Sequence, residues 1–239
     1  MMTEQCAVKV LRATDLDVTL YDPARGLEAL ADIAERDLPG IETHVGSKRM
    51  MDAYRQSREE NRTFQAETYM REQGMSEDNI AVVYQYFSEL AEPDLLFPDA
   101  KRYIERVNAS PIDHLVIHTT GLDRTQLSKL GAVGLLGPHI VTPHRIIRSH
   151  EKGKDIANNW RNENGLYVPP GVELLECEMV VLVDDRRDAV GGMDFETTRP
   201  YVLERPEQSR RGADIAVPVG AIVISSLDEI SVPLEQRAA

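Results

Sequence analysis

The 239-residue sequence predicts an α/β fold, a doubly wound parallel sheet carrying an inserted all-helical block. Three observations predict it. Short apolar, strand-like runs alternate with helical stretches along most of the chain, the pattern of a parallel sheet covered by helices. One block, residues 23–92, reads as wholly helical and interrupts that alternation directly after the first strand. Four well-separated segments each place polar groups where a strand would end, on the edge where such sheets bind ligands.

The elements follow in order. Residues 7–14 (AVKVLRAT) read as the first strand. From Gly26 the period changes, and Leu27, Leu30, Ala31, Ala34 and Leu38 fall on one helical face. Residues 47–73 are polar and rich in helix formers, with Ser47 a candidate N-cap. Ile80, Val83, Tyr84, Phe87 and Leu90 make a further amphipathic stripe. The division is therefore a core of residues 1–22 and 93–239 with a helical cap, 23–92, inserted after the first strand. Helix 98–108 opens on Pro98, a good first-turn residue. Then come a strand at 114–118 (HLVIH), a helix at 123–130 with Asp123 as N-cap and Gly131 as stop, and a strand near 139–142. A helix at 151–161 contains Ile156 and Trp160, and EMVVLV (178–183) is the clearest strand of the chain. Strands at 201–204 and 221–226 and a short helix in SLDEI close the fold, and the tail after Val232 reads as frayed. The crossovers between parallel strands are expected to be right-handed.

Composition excludes several function classes. The net charge of −13 repels nucleic-acid backbones and anionic membrane surfaces, so an anionic substrate needs a local positive site. Cys6 and Cys177 form no CxxC pair, which fits a reducing cytoplasm rather than a disulfide framework. The N-terminus lacks a basic segment followed by an apolar one, and no apolar run approaches the roughly 20 residues that span a bilayer. A soluble, cytoplasmic protein is expected. GAVGLLG (131–137) is not a dinucleotide motif, there is no P-loop, and none of the six histidines sits in HExxH. His118 alone adjoins a candidate site residue.

The strand ends carry the chemistry. After the first strand stand Asp15, Asp17 and Thr19. After LVIH stand Thr119, Thr120 and Gly121. Lys152 and Lys154 open the helix at 151–161, and Asp184 and Asp185 follow VVLV. Like charges gathered at one site raise each other's pKa and cost stability. A divalent cation removes the conflict, and Mg²⁺ takes oxygen ligands, usually one or two carboxylates with water and substrate phosphate.

These four segments resemble, in order and spacing, the motifs of the haloacid dehalogenase-like hydrolases. DLDVT (15–19) is similar to their DxDxT, LVIHT supplies Thr119, EKGKDIANNW supplies Lys152 with Lys154 as the alternate, and VVLVDD supplies Asp184 and Asp185. The resemblance implies a Rossmann-like core with a helical cap of the family's first type, and a Mg²⁺-dependent phosphatase acting on a small phosphorylated metabolite. It makes Asp15 the nucleophile, Asp17 the general acid and base, and Thr119 and Lys152 the phosphoryl-binding pair. Thr19, Thr120 and Gly121 would line the substrate. Asp15, the backbone carbonyl of Asp17, and Asp184 or Asp185 would hold the metal. Asp17 favours phosphate esters over haloacids, because an alkoxide leaving group needs a proton and a halide does not. Thr14, His118, the missing Pro after the lysine, and Gly191-Gly192 depart from the family's usual pattern.

Plainer readings stand beside these. Asp15 and Asp17 suit a turn or an N-cap, one of Asp184 and Asp185 suits a cap, and Lys154 suits solvent. Met50, Met51, Met70 and Met75 with Tyr54, Phe64 and Tyr69 read as packing inside the cap, while Arg49, Arg55 and Arg58 could meet an anion from it. The alternatives in function are a catalytically silent binding or regulatory protein, a phosphotransferase, a dehalogenase, and a phosphonatase relying on Lys48, the one lysine of the insert.

Overall fold

The structure, a computed structural model, describes residues 9–37, 47–60, 64–137, 142–172, 175–205 and 214–232. Among them six strands form one parallel sheet: β1 (Val10–Thr14), β2 (Asp113–Thr120), β3 (His144–Ile147), β4 (Met179–Asp184), β5 (Thr198–Leu203) and β6 (Ile222–Ile224). Their spatial order is β3-β2-β1-β4-β5-β6. The chain winds outward from β1 through β2 to β3, then returns to β4 on the other side of β1 and winds outward again. The winding reverses between β1 and β4, and such a reversal opens a crevice at the carboxyl ends of the two strands.

Position in the sheet explains the strand sequences. β1 and β4 are central and covered on both faces, so VLRAT is buried throughout and MVVLVD at all but its first residue. Arg12 is the exception in chemistry and is paired in place: its Nε donates to Asp113 (2.6 Å) and its Nη2 to the Ser231 carbonyl (3.0 Å), while its buried Nη1 makes no hydrogen bond among the described residues. On one face Leu11, Ala13, Val180 and Leu182 pack with Ile156 and Trp160, four residues apart along α7 (Lys152–Asn159) and its C-cap. Each large apolar side chain buried this way contributes about 1.5–3 kcal/mol.

The chain divides into two compact units. The first comprises Met1–Leu20, Pro98–Thr120 and Thr142–Ala239, and the second Tyr21–Phe97 and Gly121–Val141. The first holds the sheet, α7, and α5 (Pro98–Ala109). The second is helical, with α1 (Pro23–Asp37), α2 (Ser47–Glu59), α3 (Ala66–Glu72), α4 (Glu77–Ser88) and α6 (Asp123–Ala132). Leu27, Leu30, Ala31 and Ala34 of α1 and Ile80, Val83, Tyr84 and Phe87 of α4 are buried, as are Met50, Met51, Met70 and Met75. Phe64 sits between the rings of Tyr54 (5.9 Å) and Tyr69 (5.7 Å).

Several elements differ from the sequence expectation. The second unit takes in Gly121–Val141, which the sequence reading left in the core. The reason is close packing at Gly131, where a Cβ would fall 2.6 Å from the Ser88 carbonyl of α4. Gly131 does not stop its helix, which runs on to Ala132, and Leu122 rather than Asp123 is the N-cap. The stretch 47–73 is two helices, because Gln65 takes an extended conformation ahead of α3. The third strand is His144–Ile147, with Ile117 donating to the Pro143 carbonyl (2.9 Å), while residues 139–141 of the expected strand lie outside the described residues. Cys6, Leu38, His44 and His139 also lie outside them.

Candidate active site

β1 ends at Thr14, and the main chain leaves the sheet through a tight turn. The Asp15 N–H still donates to the Val183 carbonyl (2.9 Å), which holds Asp15 level with the end of β4. The Leu20 N–H then donates to the Leu16 carbonyl (2.9 Å), closing a single helical turn. Within it Val18 has φ +67°, a left-handed conformation that a β-branched residue adopts only when its surroundings impose it. Register extends the alignment. Thr14 lies opposite Ile117 of β2 and Val183 of β4, so Asp15, His118 and Asp184 share one level, with Thr119 and Asp185 one residue beyond.

A second turn completes the site. Asp184 Oδ1 accepts from the Arg186 N–H (2.8 Å), and the chain turns back through residues 187–192. The Gly153 N–H donates to Ala189 (2.8 Å), and a Cβ at Gly153 would lie 2.3 Å from the Gly191 carbonyl. No side chain fits there, so α7 begins hard against this turn. That approach buries Lys152, whose Nζ donates to Asp184 Oδ2 (2.6 Å) and to Asp15 Oδ1. The structure decides between the two lysines on contact alone: Lys154 is exposed and pairs with Glu151.

Asp15, Asp184 and Asp185 converge, each offering an oxygen within 4.8 Å of the others. Asp15 and Asp184 are buried and Asp185 is half-buried. Burial raises the Asp15 carboxyl to about 7; Lys152 opposes that rise, and the charges of Asp184 and Asp17 add to it. Burial and the charges of Asp184 and Asp15 push Asp185 well above the carboxylate range. Burial alone would lower Lys152, but Asp15 and Asp184 outweigh it and hold the ammonium charged. One ammonium faces three carboxylates, which leaves the cluster short of positive charge. Hard oxygen donors on this scale suit a divalent cation, since opposite oxygens of a Mg²⁺ shell lie about 4.2 Å apart. The donor set therefore fits a divalent cation.

The remaining sequence candidates fall as follows. Thr19 is buried and its Oγ1 donates to Asp15 Oδ2 (3.4 Å). Thr119 is buried at the end of β2, and Thr120 donates to the Ser149 carbonyl (3.3 Å). Asp17 is half-buried, and its carboxylate is outside the three-acid group. Gly121 begins the second segment of the helical unit.

Sequence reasoning missed two residues. Asp155, one turn beyond Lys152, accepts from both arms of Arg145 (2.6 and 2.7 Å), from Asn159 Nδ2 (2.8 Å) and from Trp160 Nε1 (2.9 Å). His118 Nε2 stands 3.2 Å from the same carboxylate without hydrogen-bond alignment. This cluster ties α7 to β2 and β3, and so fixes the base of Lys152. The spacing of Asp155, Asn159 and Trp160 in KDIANNW was its only signal in the sequence. Arg205 had none. Its Nε donates to the Val18 carbonyl (2.9 Å) and its Nη2 to the Thr19 carbonyl and to the carboxylate oxygen Asp99 Oδ1 (2.9 Å each).

Among the described residues no helix is long and apolar enough to cross a membrane. No protein-family model matches the chain, and no curated protein matches it. Solved structures do. A haloacid dehalogenase-like hydrolase from Burkholderia xenovorans superposes with a TM-score of 0.55 at 16% identity, over 92% of this chain and 94% of that one. An L-2-haloacid dehalogenase superposes at 0.51 and 14% identity, over 92% and 96%. A dehalogenase solved with an intermediate complex superposes at 0.50 and 14%, over 96% and 98%. At these identities the likeness shows the fold.

Proposed function

We propose, from the haloacid dehalogenase-like fold that this chain has, that it is a Mg²⁺-dependent phosphatase of a small phosphorylated metabolite. The observation that carries the reading is Lys152 seated between Asp15 and Asp184, with Asp185 beside them at the crevice between β1 and β4. Phosphoryl transfer needs a placed nucleophile and concentrated positive charge, and this cluster supplies the first and part of the second.

An Asp15 oxygen attacks phosphorus as the bond from phosphorus to the alcohol oxygen breaks, and an aspartyl-phosphate forms. Asp17 gives its proton to the departing alkoxide. It then takes a proton from water, whose oxygen attacks phosphorus, releasing inorganic phosphate and restoring Asp15. Thr119 and the Lys152 ammonium hold the phosphoryl oxygens, and Lys152 together with Thr19 holds the carboxylate of Asp15. A divalent cation held by Asp15, Asp184 and Asp185 supplies the positive charge that keeps Asp15 ionised. The helical unit is proposed as the cap that selects the substrate. The buried thiol of Cys177 suits a reducing compartment, the cytoplasm.

A dehalogenase is the second reading, favoured by the names of two of the similar structures. There Asp15 attacks the carbon that bears the halogen, halide leaves, and water cleaves the resulting ester. One experiment separates the two. Wild type and Asp15→Asn are offered p-nitrophenyl phosphate, a panel of phosphorylated metabolites and 2-chloropropionate, with Mg²⁺ and with EDTA. The phosphatase reading expects phosphate release that needs Mg²⁺ and Asp15. Halide release instead, or no turnover of any phosphate ester, overturns it.

A further inference from the structure

The turn that follows β1 carries Asp15, Asp17 and Thr19, and beside its internal Leu20–Leu16 and Thr19–Asp15 hydrogen bonds it is held from outside. Val18 sits at φ +67°. Conformations of this sort are strained and persist when something outside over-determines them. Val18 and Thr19 are both buried, so their carbonyls need partners. Arg205, just past the end of β5, supplies both: Nε to Val18 and Nη2 to Thr19, each at 2.9 Å.

The guanidinium is itself fixed. Its Nη2 also donates to Asp99 Oδ1 (2.9 Å), and the arginine side chain is only 12% exposed. Asp99 is buried at the start of α5, and its other oxygen accepts from the Leu227 N–H (2.9 Å) and the Ser226 hydroxyl (3.1 Å). Burial alone would raise the Asp99 carboxyl, yet Arg205, Leu227 and Ser226 hold it below the usual range, so the anchor stays charged. A chain of contacts thus runs from the turn after β6, through Asp99 and Arg205, to two successive carbonyls of the nucleophile's turn. A guanidinium can span them because its donors form a rigid fork, whereas an ammonium is a single point of charge.

We propose that Arg205 is a positioning residue, whose guanidinium holds the Asp15–Leu20 turn in the strained form that points Asp15 at Lys152 and Asp184. It touches no reacting atom in this reading and acts through the Val18 and Thr19 carbonyls. Its kinetic consequence rests on the phosphatase reading. Its structural consequence does not, since the same turn delivers Asp15 to the three-acid cluster.

The test uses the full chain, with Arg205→Ala and Arg205→Lys compared with wild type. Two readouts are taken, turnover of p-nitrophenyl phosphate with Mg²⁺ and binding of Mn²⁺ followed by electron paramagnetic resonance. Displacement of a reacting group by about 1 Å costs on the order of 10²-fold in rate. Arg205→Ala is expected to lose about 10- to 100-fold in kcat with KM changed less than about threefold, and to bind Mn²⁺ about tenfold more weakly. Guanidinium ion added at tens of millimolar should restore both in Arg205→Ala and neither in Asp15→Asn. Arg205→Lys, which keeps the charge beside Asp99, should fold like wild type and still show the kcat and Mn²⁺ losses. Wild-type turnover and Mn²⁺ affinity retained in Arg205→Lys, or losses in Arg205→Ala that guanidinium leaves untouched, overturn the proposal. If wild type itself turns over no phosphate ester, the phosphatase reading fails, and the Mn²⁺ measurement alone decides for or against the role of Arg205.

Discussion

Replacing Lys152 by Met removes the one ammonium within the acid cluster and keeps most of the side chain's volume. At 2.6 Å from Asp184, and at an effective dielectric of about 20, the lost attraction is about 6 kcal/mol before dehydration is counted. Removing one partner from a buried pair costs about 3–5 kcal/mol net, because the other charge stays behind without compensation. The cost should depend on pH, and its direction follows from Asp15. That carboxyl titrates near 7 in the fold against 3.8 ordinarily. A raised acid favours the fold while protonated, so its contribution is whole below about pH 3.8 and is lost as pH rises through about 7. Without Lys152 the carboxylates are pushed higher still. Protons replace the missing charge more readily at pH 5 than at pH 8. Lys152→Met should therefore lose about 3–5 kcal/mol at pH 8 and about half that at pH 5. Urea unfolding in EDTA measures both, followed by fluorescence of Trp160, the single tryptophan, which is buried with its ring 4.9 Å from that of His118. A loss below about 1 kcal/mol at pH 8, or an equal loss at both pH values, would falsify the role given to Lys152 as the cluster's countercharge.

Three further outcomes are expected. Asp17→Asn should slow p-nitrophenyl phosphate turnover by about 10²–10⁴-fold while leaving Mn²⁺ affinity within about threefold, since its carboxylate is outside the three-acid group; equal turnover would remove it from acid–base work. Gly153→Ala must displace the Gly191 carbonyl, 2.3 Å from the new Cβ, and should cost about 1–3 kcal/mol in urea unfolding, together with turnover, because it shifts Lys152; a neutral result would show that the 187–192 turn yields freely. Asp155→Asn takes the negative charge away from Arg145 and should destabilise the fold by about 2–4 kcal/mol, with a shifted Trp160 emission from the altered indole N–H bond; unchanged emission and stability would separate α7 from that cluster.

How much could be read in advance differs from element to element. β4 was legible because a central parallel strand must be apolar on both faces, and VVLV can hardly be otherwise. β3 was not read from the sequence, since it is only half-buried and HRII carries little apolar signal beside HIVT. α6 was found as a helix but assigned to the core, because the close approach of Gly131 to Ser88 leaves no periodic trace. The acids and threonines of the candidate site were visible as residue types at strand ends. Lys152 and Lys154 stayed equal until α7 was seen to begin against the 187–192 turn.

Residue order alone determined the alternating strands and helices, the helical interruption after β1, and a set of acids, hydroxyls and lysines spaced to meet at one sheet edge. Those are matters of period and side-chain type, which each local stretch records. Tertiary structure decided which lysine meets Asp15, that Asp155 anchors the helix bearing it, and that Arg205 grips the turn after β1 from 186 residues away. Such contacts depend on winding and register, and a hydrogen bond between distant segments leaves no mark on either sequence until the sheet has brought them together.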